Sequence, residues 1–175
     1  MPNTYDLITT QTLGSTSALI TVSLPTSSYT DIQLRVSLRS NRAGQAADGG
    51  LIYFNGDSNT ANYNRLTFYD EGGATGSEIS KGTSTSQQLG TIPAATTNSA
   101  LFNNGVIDLV NYLSSSRKAF MTYTAFQITG GATRYIWSNF MDYTSTSTIT
   151  SATFGLFNSS FVAGSSVSVY GIKKA

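Results

Sequence analysis

The chain has 175 residues, ten basic and nine acidic side chains and a formal net charge of +1, with neither cysteine nor histidine. That composition excludes a disulfide scaffold, a cysteine- or histidine-ligated metal site and a thiol nucleophile, and it removes the commonest general base. Charged residues make up only 11% of the sequence, too few for the basic stripe of a nucleic-acid binder, yet 25 serines and 25 threonines accompany a 39% hydrophobic content, so a single folded domain with a hydroxyl-rich surface is expected.

Period-two alternation runs through most of the chain and predicts strands, because successive side chains of a strand point to opposite faces. Thr4 to Thr12 is β-rich, and Ala18 to Leu24 alternates through Ala18, Ile20, Val22 and Leu24. Asp31 to Ser40 is the clearest segment: Ile32, Leu34, Val36 and Leu38 share one face, and Gln33, Arg35, Ser37 and Arg39 the other. Leu51 to Phe54 follows, closed by a turn at Asn55-Gly56-Asp57. Tyr63 to Tyr69 sets Leu66 and Phe68 opposite Arg65 and Thr67. Glu71 to Ser86, rich in Gly, Ser and Thr, reads as a mobile surface loop. Gln87 to Ile92 is ended by Pro93. Val106 to Tyr112 is read as a strand although its spacing also fits a helical turn. Lys118 to Thr129 and Thr133 to Phe140 flank Gly130-Gly131 at hairpin spacing. Thr146 to Leu156 and Ser166 to Ile172 complete about ten strands. Gly49-Gly50, Gly72-Gly73 and Asn104-Gly105 read as breaks.

Many short strands with turn signals between them predict an all-β, antiparallel sandwich or barrel. The amino terminus shows no basic start and no apolar run, so no secretion signal is expected. No apolar run approaches the length of a membrane helix. A soluble protein that avoids both nucleic acid and membrane is the expectation.

The reactive inventory is thin. Ser80-Lys81 is a poor dyad, because adjacent strand side chains diverge. The acids are spread along the chain, mostly at strand ends and turns. Asp108 lies inside a predicted strand and is read as solvent-facing; a glycan-active enzyme would need a second carboxylate beside it. Asn55 to Asn59 offers alternating oxygen donors to calcium, but an Asn-Gly-Asp turn accounts for it more simply. Asn158-Ser159-Ser160 fits a glycosylation acceptor and is discounted without a secretion signal. No enzyme activity, metal or cofactor is expected. Arg35, Arg39 and Arg42 are candidates for a protein-contact surface, the competing reading being a solvated strand face. Tyr135 and Trp137 share a face of one predicted strand and suit either an interface, a stacked sugar or core packing.

Several segments together resemble a group of small structural proteins of tailed bacteriophages, known especially from cyanophages. They are Tyr29 to Ser40, Phe54-Asn55-Gly56-Asp57, Ile92-Pro93-Ala94-Ala95, Ile107 to Tyr112, Phe161 to Ser165, and the closing Val169-Tyr170-Gly171-Ile172-Lys173-Lys174. The resemblance covers nearly the whole chain and is most specific in the Tyr-Gly-Ile-Lys strand. It implies a virion component with a jelly-roll-like β-sandwich over residues 1–175, and no catalytic residues. Two roles fit: a capsid cement (decoration) protein that bridges neighbouring major capsid subunits, or a tail-associated protein that binds a receptor or glycan. The absence of a fibre repeat or shaft favours the capsid. The expected partners are then the major capsid protein and further copies of this chain in a homotrimer. The expected location is the outer surface of the virion, with host cytoplasm during assembly.

Overall fold

The computed structural model describes residues 5–83, 87–128 and 133–173. Among them it places twelve strands: β1 (Tyr5–Thr12), β2 (Ile20–Ser23), β3 (Asp31–Ser37), β4 (Ala47–Phe54), β5 (Tyr63–Glu71), β6 (Ala74–Lys81), β7 (Gln88–Pro93), β8 (Asn104–Val110), β9 (Lys118–Gln127), β10 (Arg134–Tyr143), β11 (Ser151–Leu156) and β12 (Ser166–Ile172). A single 3-10 turn, Thr60–Asn62, precedes β5. The strands form an eight-stranded sheet in the order β1-β12-β3-β8-β9-β10-β5-β6 and a four-stranded sheet in the order β2-β11-β4-β7. Every pairing is antiparallel. The chain changes sheet at most connections, as in a jelly-roll winding, and the β8–β9–β10 meander widens the larger sheet.

The predicted β-sandwich is therefore present. Ile20, Val22, Ile52, Phe54, Ala152 and Phe154 of the smaller sheet meet Ile32, Leu34, Ile107, Phe120, Val167 and Val169 of the larger one in one buried cluster. Tyr63 and Tyr143 stack at 4.8 Å and both pack on Phe54. Asn55 and Gly56 take φ of 54° and 71°, the left-handed turn expected of Asn-Gly between two strands. The Asp57 carboxylate accepts from the Asn59 N–H at 2.9 Å, the Asn62 amide at 2.7 Å and the Tyr143 hydroxyl at 3.0 Å, which ties the turn to β10.

Three readings of the sequence need correction. The segment after Gly72-Gly73 is not a loop: Ala74–Lys81 is β6, held as a strand by its full register against β5. Gly49-Gly50 is no break but lies inside β4. Glycine is required there by close approach, since a Cβ at Gly49 would stand 2.0 Å from the Phe157 ring. Asn104-Gly105 likewise opens β8. Gly130-Gly131 falls outside the described residues, but its flanking strands do pair, Arg134 opposite Gln127 through Tyr143 opposite Lys118.

Candidate functional site

The register of the larger sheet shows two halves of opposite polarity. One inward row runs Val169, Leu34, Ile107, Thr122, Asn139, Thr67, from β12 across to β5. All six are buried, yet the first three are aliphatic and the last three polar. The neighbouring outward row runs Tyr170, Gln33, Asp108, Met121, Phe140, Leu66, Ile79. Here the first three are polar-tipped and the last four apolar, with Ile79 70% exposed. Along these two rows the β12–β3–β8 half is apolar inside and polar outside and the β9–β10–β5–β6 half reverses this, while Tyr63, Phe120, Met141 and Tyr143 of the second half still face the core beside the polar row.

The inward polar strip has a local cause. β7 is an edge of the smaller sheet, and its pairing with β4 slips between Gly50 and Leu51. The Leu89 carbonyl there accepts from the Asn139 amide at 2.8 Å and from the Thr124 hydroxyl at 3.3 Å. Asn139 also donates to Thr122 Oγ1 at 2.7 Å and accepts from Thr67 Oγ1 at 2.7 Å. The polar side chains thus satisfy a buried irregular edge that would otherwise leave backbone groups unpaired. Gly90, at φ 128°, lets β7 approach this closely: a Cβ there would lie 2.4 Å from Thr124 Oγ1 and 2.7 Å from Trp137 Cβ.

Alternation then forces the apolar partners outward. Leu66, Phe68, Ile79, Met121, Tyr123 and Phe140 are all exposed on one face, and Phe68 meets Phe140 edge-on at 6.4 Å. A groove of about 330 Å³ runs beside Met121, Phe140 and Val110. The other half of the same face is polar and self-satisfied. Arg35 donates through Nε to Gln33 Oε1 at 3.0 Å and lies 5.0 Å above the Tyr170 ring, and Gln33 in turn donates to Asp108 at 2.9 Å. Asp108 is thus engaged with an amide on the outer face.

The candidate residues from the sequence separate. Arg35 stays exposed on this outer face, as expected. Arg39 does not: β3 ends at Ser37, so the alternation no longer governs its direction. Arg39 is buried and clamps the chain after β7, donating to the Ala94 carbonyl at 2.9 Å and the Thr97 carbonyl at 3.2 Å. Burial lowers the pKa of its guanidinium. Arg42 is instead paired with Asp48 at 3.4 Å. Trp137 is also buried, stacked on Tyr69 at 5.3 Å with the Arg65 guanidinium 5.4 Å from its ring, so it offers no exposed contact surface. Tyr135 is half-buried and stacks on Phe126 at 4.6 Å. None of Leu66, Phe68, Ile79, Met121 and Phe140 is a site candidate in the sequence. Alternation shows that Leu66 shares a side with Phe68 but not that this side faces out, and Ile79 falls in a segment that reads as a loop.

Comparison of the chain with protein-family models, with curated proteins and with solved structures finds no match.

Proposed function

We propose that the protein is a virion structural protein, a capsid cement protein that binds the assembled shell of major capsid subunits through the outer face of its larger sheet. The observation that carries this reading is the apolar row Met121–Phe140–Leu66–Ile79, with Phe68 and Tyr123 beside it, left uncovered on a regular sheet. Monomeric proteins rarely expose a contiguous apolar patch above a few hundred Å², and such patches mark contact sites. With strands about 4.8 Å apart and about 3.3 Å per residue, the apolar half of the face covers roughly 450 Å² and the whole eight-stranded face roughly 900 Å². The latter is close to the roughly 800 Å² per partner of a standard stable interface. The resemblance to tailed-phage structural proteins supports the shell as the occupant, and binding only to the assembled shell would stabilise it by mass action. Copies meeting around a three-fold axis would give the homotrimer.

The test is co-sedimentation of purified protein with phage heads that lack it, comparing the natural chain with Phe140→Asp and Ile79→Asp. Retention should fall sharply for both variants while the unfolding midpoint stays within a few degrees, because the altered side chains are exposed. Contact through apolar groups should also survive raised salt. Normal retention of the double variant, or absence of the protein from virions, would refute the reading. Many hundreds of copies per particle fit a cement role, and a few dozen would move the protein to the tail.

A further inference from the structure

The four strands that end the two sheets are not equally protected. β2 has only four residues, β7 slips against β4 and ends on Pro93, and β1 shifts register between Leu7 and Thr9. Shortness, irregularity and proline are the devices by which a sheet edge avoids joining another chain. β6 has none of them: its eight residues keep an unbroken register against β5 and include no proline.

The groups that β6 leaves open can be named. The Gly82 N–H donates to the Tyr63 carbonyl at 3.0 Å, and at the other end the Gly72-Gly73 turn closes on the Glu71–Ala74 pair. Bonded and non-bonded pairs alternate along an antiparallel ladder, so Ala74, Gly76, Glu78 and Ser80 exchange bonds with β5. The N–H and C=O of Thr75, Ser77, Ile79 and Lys81 therefore point away from the sheet, and among the described residues no other backbone reaches them. Their side chains are exposed on the outer face, the side of Leu66 and Phe68. The inward charge of this strand, Glu78, is held by Arg65 at 3.1 Å and does not bar an approach.

We propose that β6 is a pairing edge for a second copy of this chain, the two β6 strands running antiparallel about a two-fold axis with Ile79 opposite Ile79. A two-fold contact sets one surface against itself, and the choice of register follows from the side chains. Centring the axis on Glu78 would set two carboxylates face to face, and centring it on Ser77 would leave Ile79 opposite Thr75. Centring it on Ile79 sets apolar group against apolar group and Ser77 against Lys81. The outward row Met121–Phe140–Leu66–Ile79 then runs without interruption into its copy. The area favours a second copy as the occupant. The apolar half of one outer face, roughly 450 Å², falls short of the roughly 800 Å² per partner of a standard interface, and two copies joined at β6 present roughly 900 Å² on one side. The use of the pair rests on the outer-face reading, but its existence does not. It is measured without phage heads, so its failure leaves that reading standing.

The experiment is analytical ultracentrifugation of the full chain from micromolar to submillimolar concentration. A monomer–dimer equilibrium is expected. Ser77→Pro removes an outward N–H that β5 does not use, so the variant should unfold at nearly the natural temperature while its dimer dissociation constant rises about tenfold or more. Should that variant fail to fold, the exposed position 79 gives the same test. Ile79→Lys and Ile79→Glu should each be monomeric alone and should associate when mixed, because the axis sets residue 79 against itself. A natural chain that stays monomeric throughout overturns the proposal. So does a dimer unaffected by Ser77→Pro, which would place the contact on the outer face instead of the edge. A mixture of the two charged variants that does not associate would overturn the register.

Discussion

Along one inward row and the outward row beside it, the two halves of the larger sheet follow the same alternation and end with opposite polarity. In β12, β3 and β8 the aliphatic residues face the smaller sheet, and Arg35, Gln33 and Asp108 bond one another outside. In β9, β10 and β5 the threonines and Asn139 face inward, and Met121, Phe140 and Leu66 face out. The difference is what lies opposite. The first half packs on the β2 side of the smaller sheet through aliphatic side chains. The second meets the slipped edge β7, where the Leu89 carbonyl needs donors. A sheet can thus carry an exposed apolar face without any fault in its pattern, because polar demand inside reverses the alternation.

The largest test of this comparison is Gly90→Ala. The left-handed φ and the close approach to Thr124 and Trp137 predict a loss of about 3 kcal/mol or more. For a chain of this length that is roughly a 10 °C fall in unfolding midpoint. A midpoint within a degree of the natural chain would mean that β7 need not approach the polar strip at all. Asn139→Leu comes next. It strips donors from Leu89 and Thr122 and the acceptor from Thr67, and urea unfolding should show a loss of about 2–4 kcal/mol. Unchanged or raised stability would show the polar strip to be passive.

The smallest effect concerns Glu71, the last residue of β5 in the second half. The raised pKa of Glu71 means that its protonated form is the one the fold prefers. Its favourable contribution is therefore complete below the ordinary value of 4.5 and is lost as pH rises through the higher folded-state value. Glu71→Gln should match the natural chain in acid and become the more stable of the two by neutrality, seen as a gap between their melting-temperature profiles. A gap that closes as pH rises would reverse the assigned cause.

Much of the fold was legible. Ser166–Ile172 was expected and observed with the same bounds, and the Asn55-Gly56 turn followed from its dipeptide. β6 was not legible, since Gly, Ser and Thr signal a loop and only its pairing with β5 makes it a strand. Nor was the fate of Arg39, which looked like the next outward residue of a strand that had already ended. Of the residues lining the cleft beside β7, Arg42 and Tyr135 were singled out beforehand, and Trp137 was found buried instead of on a surface. Glu71 of β5 and Gln88 and Thr91 of β7 carried no local signal, because the two strands meet only in the folded chain.

The sequence by itself determined that this protein is all-β, where most strands lie, and which residues share a side of each strand, because a two-residue period is a property of the local backbone. Only the tertiary structure decided which side faces in, because that depends on what packs opposite: paired backbone rewards aliphatic groups, and an irregular edge rewards hydroxyls and amides. The exposed apolar face follows from that choice.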